Sequence, residues 1–119
     1  MKFVIEHDLM PSPRPRINTK THHDYYHRDY KSNKEILKFR IKSEMNWCGV
    51  KTTREPMCFN NISIFTSRKS GDIDNYLKTF LDACGGAVYK NDNQVERIKN
   101  LNLHRNHLNP FIEFEIRIL

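Results

Sequence analysis

Phe3 and Ile5 share one side of the stretch Met1–His7, the period-two pattern of a short strand with one buried face. Pro11, Pro13 and Pro15 then fix φ and remove backbone donors, so residues 9–31 are expected to form an arm or long loop. Ser32-Asn33-Lys34-Glu35 has the form of a capping box and predicts a helix start. Beyond it Ile36, Leu37, Ile41 and Met45 recur at helical spacing, with Lys34, Lys38 and Lys42 in an i, i+4 row; fraying is expected between Asn46 and Gly49.

From Cys58 to Thr66, β-branched and aromatic residues with Ile62 and Ile64 in period two predict a strand, ended by the polar turn Ser67–Gly71. Asp72 opens a second helix with a stripe of Ile73, Leu77, Phe80, Leu81 and Cys84, closed by Gly85-Gly86. Gln94–Leu103 and Phe111–Leu119 read as a hairpin, because Ile112, Phe114, Ile116 and Ile118 alternate with Glu113, Glu115 and Arg117. No segment repeats. The order predicts an α+β domain with two main helices on a small, largely antiparallel or mixed sheet.

At 119 residues the chain has the size of one domain, and 38% hydrophobic with 29% charged residues excludes wholesale disorder or a fibrous repeat. No apolar run approaches the roughly 18 residues of a membrane span, and Glu6, His7 and Asp8 interrupt any signal-peptide core. A cytoplasmic protein without a membrane partner is expected. Cys48, Cys58 and Cys84 are odd in number and lack C-x-x-C spacing, so they read as reduced, mostly buried thiols.

The net charge of +6 is concentrated. Between Arg14 and Lys42, nine basic residues (Arg14, Arg16, Lys20, Arg28, Lys31, Lys34, Lys38, Arg40, Lys42) face three acids (Asp24, Asp29, Glu35), which leaves the rest of the chain neutral in sum. Such a block suits a polyanion, because phosphate neutralisation with counterion release dominates nucleic-acid affinity; a solvated face has the same composition. Arg14, Arg16, Lys20, Arg28, Lys34, Lys38, Arg68 and Lys69 are the candidate DNA contacts. His22, His23 and His27 interleave with Tyr25, Tyr26, Arg28 and Tyr30, a mixture that can stack on bases while neutralising phosphates; an exposed disordered arm has the same composition. With no cysteine beside them and a basic setting, these histidines together with His104 and His107 are not expected to form a zinc site.

Chemistry concentrates in Gly71–Lys78 and Asn91–Gln94. Asp72 and Asp74 stand at a helix start, where carboxylates two residues apart can converge on a hard cation. Lys78 lies one turn beyond Asp74, placed to neutralise a phosphoryl oxygen. The turn after Gly85-Gly86 can return Asp92 to the same helix, and three acids with a lysine suit metal-assisted phosphodiester cleavage. The same residues also read as a helix cap and an ordinary i, i+4 ion pair. A calcium EF-hand is excluded, since it would need Gly at Leu77 and Glu at Ala83. A phosphatase of the Asp-x-Asp type would want an apolar strand directly before the pair, where Arg68-Lys69-Ser70-Gly71 stand.

Gly71-Asp72-Ile73-Asp74-Asn75-x-x-Lys78-x-x-Leu81-Asp82-Ala83, followed by Val88-Tyr89-x-Asn91-Asp92-x-Gln94-Val95, resembles the signature of the RusA family of Holliday-junction resolvases. Pro11-Ser12-Pro13-Arg14-Pro15-Arg16 resembles that family's Pro- and Arg-rich segment, and the alternating C-terminal strand also fits. Asn91 stands where the family usually has a second Asp, and the Gly common before the Pro-rich segment is absent at Leu9-Met10. The resemblance implies a crossover junction endodeoxyribonuclease, a homodimer that nicks four-way DNA symmetrically with Mg²⁺, or Mn²⁺ in its place, and no small-molecule cofactor. It carries metal-associated roles onto Asp72, Asp74 and Asp92 and the catalytic lysine onto Lys78. The rival from another class is a catalytically silent DNA-binding module that uses the basic segment.

Overall fold

The computed structural model describes residues 1–13 and 20–119, and within the first helix the side chains from residue 28 onward. Strand β1 (Lys2–Ile5) is followed by α1 (Lys20–Trp47), β2 (Met57–Phe65), α2 (Ile73–Cys84), a one-turn 3-10 helix (Asp92–Gln94), β3 (Val95–Ile98), β4 (Leu101–His104) and β5 (Phe111–Ile118). Two long helices and a five-stranded mixed sheet make an α+β fold, as the element order predicts.

β2 is the hub. It pairs along its length with β5 in antiparallel fashion, while its other edge carries β3 at Met57–Phe59 and β4 at Ile62–Phe65, both parallel. Between those stretches Asn60 is bulged, and Asn100 Nδ2 donates to its carbonyl at 3.1 Å. β2, α2 and β3 thus form a βαβ crossover, which lays α2 back over the sheet. The expected terminal hairpin does not form. β5 lies between β1 and β2, with Phe3 opposite Phe114 and Ile64 opposite Ile112. Alternation fixes which face of a strand is buried but not which neighbour it pairs with.

The helical side of the sheet buries Phe3, Ile5, Ile62, Ile64, Ile112, Phe114 and Ile116. Phe80 from α2 packs edge-on to Phe59 and Phe114, at 5.6 and 5.3 Å between ring centres, and α1 adds Leu37, Ile41 and Met45. Each such side chain contributes about 1.5–3 kcal/mol through burial. The buried stripe of α2 is Tyr76, Thr79, Phe80, Ala83 and Cys84, rotated from the expected one. Ile73 is exposed, and Leu77 and Leu81 pack only at the core's margin.

The arm expected over residues 9–31 and the helix start expected at Ser32 both need correction. α1 already begins at Lys20, for after Pro15 nothing up to Trp47 is Pro or Gly, so no breaker halts helical propagation. Asn33 does not serve at a cap, because its amide is used at long range. Its Oδ1 accepts from His7 Nε2 at 3.0 Å and the Met10 N–H at 3.1 Å, and its Nδ2 donates to the Asp8 carbonyl at 2.9 Å. The segment after β1 is thereby fastened to α1. Cys58 and Cys84 are buried, Cys48 is exposed, and all three are free.

Candidate active site

The turn that delivers Asp72 is constrained on three sides. Gly71 has φ +108°, and a Cβ there would sit 2.7 Å from the Tyr76 ring, so only glycine fits. The Tyr76 hydroxyl donates to the Ser70 carbonyl at 2.7 Å, and Arg105 Nη2 donates to the Gly71 carbonyl at 2.7 Å. Burial pushes the Tyr76 hydroxyl above its ordinary pKa, against the opposing pull of Thr66 and Arg68, so it stays a donor. Asp72 is the N-cap residue of α2: its carbonyl accepts from the Asn75 and Tyr76 N–H groups, while its exposed carboxylate makes no cap bond.

Below this turn, Asp74, Lys78 and Asp82 rise along one side of α2 at i, i+4, i+8 spacing. With Leu77, Leu81 and, from the 3-10 turn, Asp92, they line an open cleft of about 230 Å³. Asp74 Oδ1 accepts from the Asn75 N–H at 3.0 Å. Among the described residues the ion pair present is Lys2–Glu113 at 2.6 Å, so Lys78 is not held by Asp74 or Asp82.

Asp92 owes its place to its neighbours. Asn91 Oδ1 accepts from the Asn93 N–H at 3.1 Å, and Gln94 Oε1 accepts from the Lys90 and Asn91 N–H groups, each at 2.9 Å. This is a complete capping box. Gln94 Nε2 also donates to the Thr53 and Glu55 carbonyls at 3.0 Å, which ties the turn to the segment before β2. The Asn91 oxygen is therefore engaged in capping. Tyr89, whose hydroxyl donates to the Leu81 carbonyl at 2.5 Å, joins the two walls; burial raises its pKa far out of the physiological range.

The structure brings together three of the four expected catalytic residues, Asp74, Lys78 and Asp92, in the cleft lining, and leaves Asp72 at the helix entrance. Asp82 belongs to the chemically loaded stretch of the sequence but not to the expected catalytic set, and its i, i+8 spacing from Asp74 places it in the lining. Among the described residues no three His, Cys, Asp or Glu side chains converge as a ready-made metal cage. The donors still suit a hard divalent cation, since Mg²⁺ keeps several waters and needs only one or two carboxylates beside a substrate phosphate. A cleft of about 230 Å³ has room for that hydration.

Of the expected DNA contacts, Arg28 and Lys69 are exposed, Lys34, Lys38 and Arg68 half-buried, and Arg14, Arg16 and the Lys20 side chain lie outside the described residues, as do the side chains of His22, His23, Tyr25, Tyr26 and His27. Lys34 sits 5.2 Å above the Tyr30 ring. The Pro-rich segment reaches the site: the Ser12 N–H donates to the Asn75 carbonyl at 3.0 Å, two residues before Arg14.

The family of endodeoxyribonuclease RusA matches residues 7–117. The chain belongs to the RusA family. That span takes in β2, α2, the cleft and nearly all of β5, so membership rests on the whole domain rather than on the aspartate motif alone. No curated protein matches the chain. No helix among the described residues is long and apolar enough to cross a membrane.

Proposed function

We propose that this RusA-family endodeoxyribonuclease resolves four-way DNA junctions by metal-dependent hydrolysis, with Asp72, Asp74, Lys78 and Asp92 as its working residues. The observation that carries the reading is the cleft: two of the proposed metal-binding acids and an unpaired lysine open onto the same solvent-filled space. Asp74 and Asp92, with Asp72 at the helix entrance, would hold Mg²⁺ or Mn²⁺. Bound there, the ion would lower the pKa of water and shield the scissile phosphate. Lys78 presents its ammonium to phosphate oxygens, and its freedom from an ion pair leaves that charge available where negative charge builds in the transition state. Leu77 and Leu81 supply an apolar wall that strengthens these electrostatic interactions. The start of the Pro- and Arg-rich segment is tied to α2 through the Ser12–Asn75 bond, and Arg14 and Arg16, which follow it in sequence, are the proposed contacts to the strand being cut.

A junction presents two equivalent strands, and a two-fold dimer would present matching acids to both; the reading therefore includes a homodimer acting in recombination and repair in the cytoplasm. The test uses a synthetic four-way junction with and without Mg²⁺. Asp72→Asn, Asp74→Asn and Asp92→Asn should each abolish cleavage while junction binding persists, because binding rests on the basic surfaces. Cleavage retained in all three variants would refute the assignment, and a parent protein that binds but never cuts would favour the silent binding module.

A further inference from the structure

Three aromatic rings form a row across the end of the sheet nearest the Asp72 turn. Phe111 (β5), Phe65 (β2) and His104 (β4) are in mutual register. Phe65 stacks on Phe111 at 4.2 Å and 15°, and on His104 at 4.3 Å and 9°. His107 meets Phe65 edge-on at 5.1 Å. The row lies on the sheet face opposite the helices, since Ile64 and Ile112, the neighbours of Phe65 and Phe111, point into the core.

Cross-strand stacking stabilises a sheet, which accounts for the two half-buried phenylalanines. It accounts equally for the inner face of the His104 ring, but not for the outer one. His104 is exposed, its strand pairs only with β2, and its nitrogens make no hydrogen bond among the described residues. One imidazole face is taken by Phe65, and the other ends the stack at the sheet's edge. A flat, open aromatic face on a rigid stack offers any nucleobase a place at low entropic cost, because every base has a π-face.

The position ties this face to the site. The His104 carbonyl accepts from the Thr66 N–H at 2.9 Å, and the Asn106 and His107 N–H groups donate to the Arg68 and Thr66 carbonyls. Arg105, exposed and next in sequence, donates to the carbonyl of Gly71, the residue before Asp72. The guanidinium keeps further donors for phosphate. Lys69 is exposed in the same pair of loops, and Arg68 Nε is shielded from water without a partner. Cations in these loops favour an anionic ligand, and the open ring beside them favours one that carries a base.

We propose that His104 is a stacking platform for one base displaced from the helix at a DNA branch, with Arg105 on the adjoining phosphate, so that the Phe111–Phe65–His104 row helps to seat the cleaved strand. The inference rests on the reading of branched DNA as substrate. Its test places 5-iodo-deoxyuridine next to the branch of a synthetic four-way junction, bound by the intact protein in chelator so that no strand is cut. Ultraviolet light should crosslink that base to the peptide containing His104. His104→Ala should abolish the crosslink and lower the ratio of junction to duplex affinity about tenfold, in keeping with a lost base–aromatic stack; His104→Trp should restore both. A merely structural His104 would lower the melting temperature in His104→Ala and leave the ratio untouched. Parent-like binding by His104→Ala with no crosslink in the parent overturns the platform alone. A parent protein that binds no branched DNA overturns the platform and the proposed function together.

Discussion

Lys78 carries the sharpest residue-scale prediction. A surface i, i+4 pair with Asp74 would be worth only about 0.3–0.5 kcal/mol, and no such pair forms among the described residues. Lys78→Ala should therefore melt like the parent yet lower the single-turnover cleavage rate by about 10² or more at saturating protein and Mg²⁺, as the loss of a transition-state donor does. A rate within a few-fold of the parent would return Lys78 to the surface. His7 gives a pH signature of a different kind. Burial, partly offset by the Asn33 bond and reinforced by Arg40, holds its folded pKa below 6.5. Above pH 6.5 the ring is neutral in both states and adds no pH dependence. As pH falls through 6.5, the unfolded chain takes up a proton that the folded ring resists, so stability declines until the folded pKa is passed. Urea midpoints should thus drop between pH 7.5 and 5.5, and His7→Gln should flatten that slope. Asp8 acts lower on the scale. Desolvation pushes its carboxyl up, but bonds from Ser67 and Thr66, with Arg68 nearby, outweigh it and leave a net depression; its contribution is lost only as pH falls below about 3.8 and through the folded value.

At the scale of elements, the 3-10 turn shows how a single polar residue places a carboxylate. Gln94→Ala removes four hydrogen bonds that span the turn and residues 53 and 55. A loss of about 1–3 kcal/mol in chemical unfolding is expected, together with slower cleavage as Asp92 loses its support. Gln94→Glu keeps the acceptor oxygen and should recover part of both; equal cleavage by all three proteins would show that the turn does not position Asp92. Much of this level was legible in sequence. α2 and its Gly-Gly end, β2, and the alternation of β5 follow from local periodicity, whereas the acids with Lys78 read by spacing alone as a helix cap and an ion pair and were singled out by the resemblance to the RusA signature. The true start of α1 was hidden because Ser32–Glu35 satisfies a local rule, while the partners that decide how Asn33 is used, His7, Asp8 and Met10, are more than twenty residues away in the chain. The stripe of α2 turned for a similar reason: Tyr76 is drawn inward by the Ser70 carbonyl and the Gly71 gap, neither of which periodicity sees.

For the whole molecule, the decisive feature is that β5 stands between β1 and β2. Lys2 pairs with Glu115 and Met57 with Ile118, so neither half of the sheet joins the other without this strand. Closing such long loops before any contact is gained makes folding slow relative to a helical protein of equal size. A chain cut before Phe111 should lose cooperative unfolding by circular dichroism, and a peptide of residues 111–119 added in trans should restore it in part; a sharp transition in the shortened chain would show that β1 and α1 find the core unaided. The consequence reaches beyond stability. During synthesis Asp72, Asp74, Lys78 and Asp92 emerge ahead of β5, so a growing chain carries the proposed catalytic residues before the frame that aims them. On the proposed assignment, a segment with no chemistry of its own gives the site its aim, and a copy that has not yet made β5 should not nick the DNA around it.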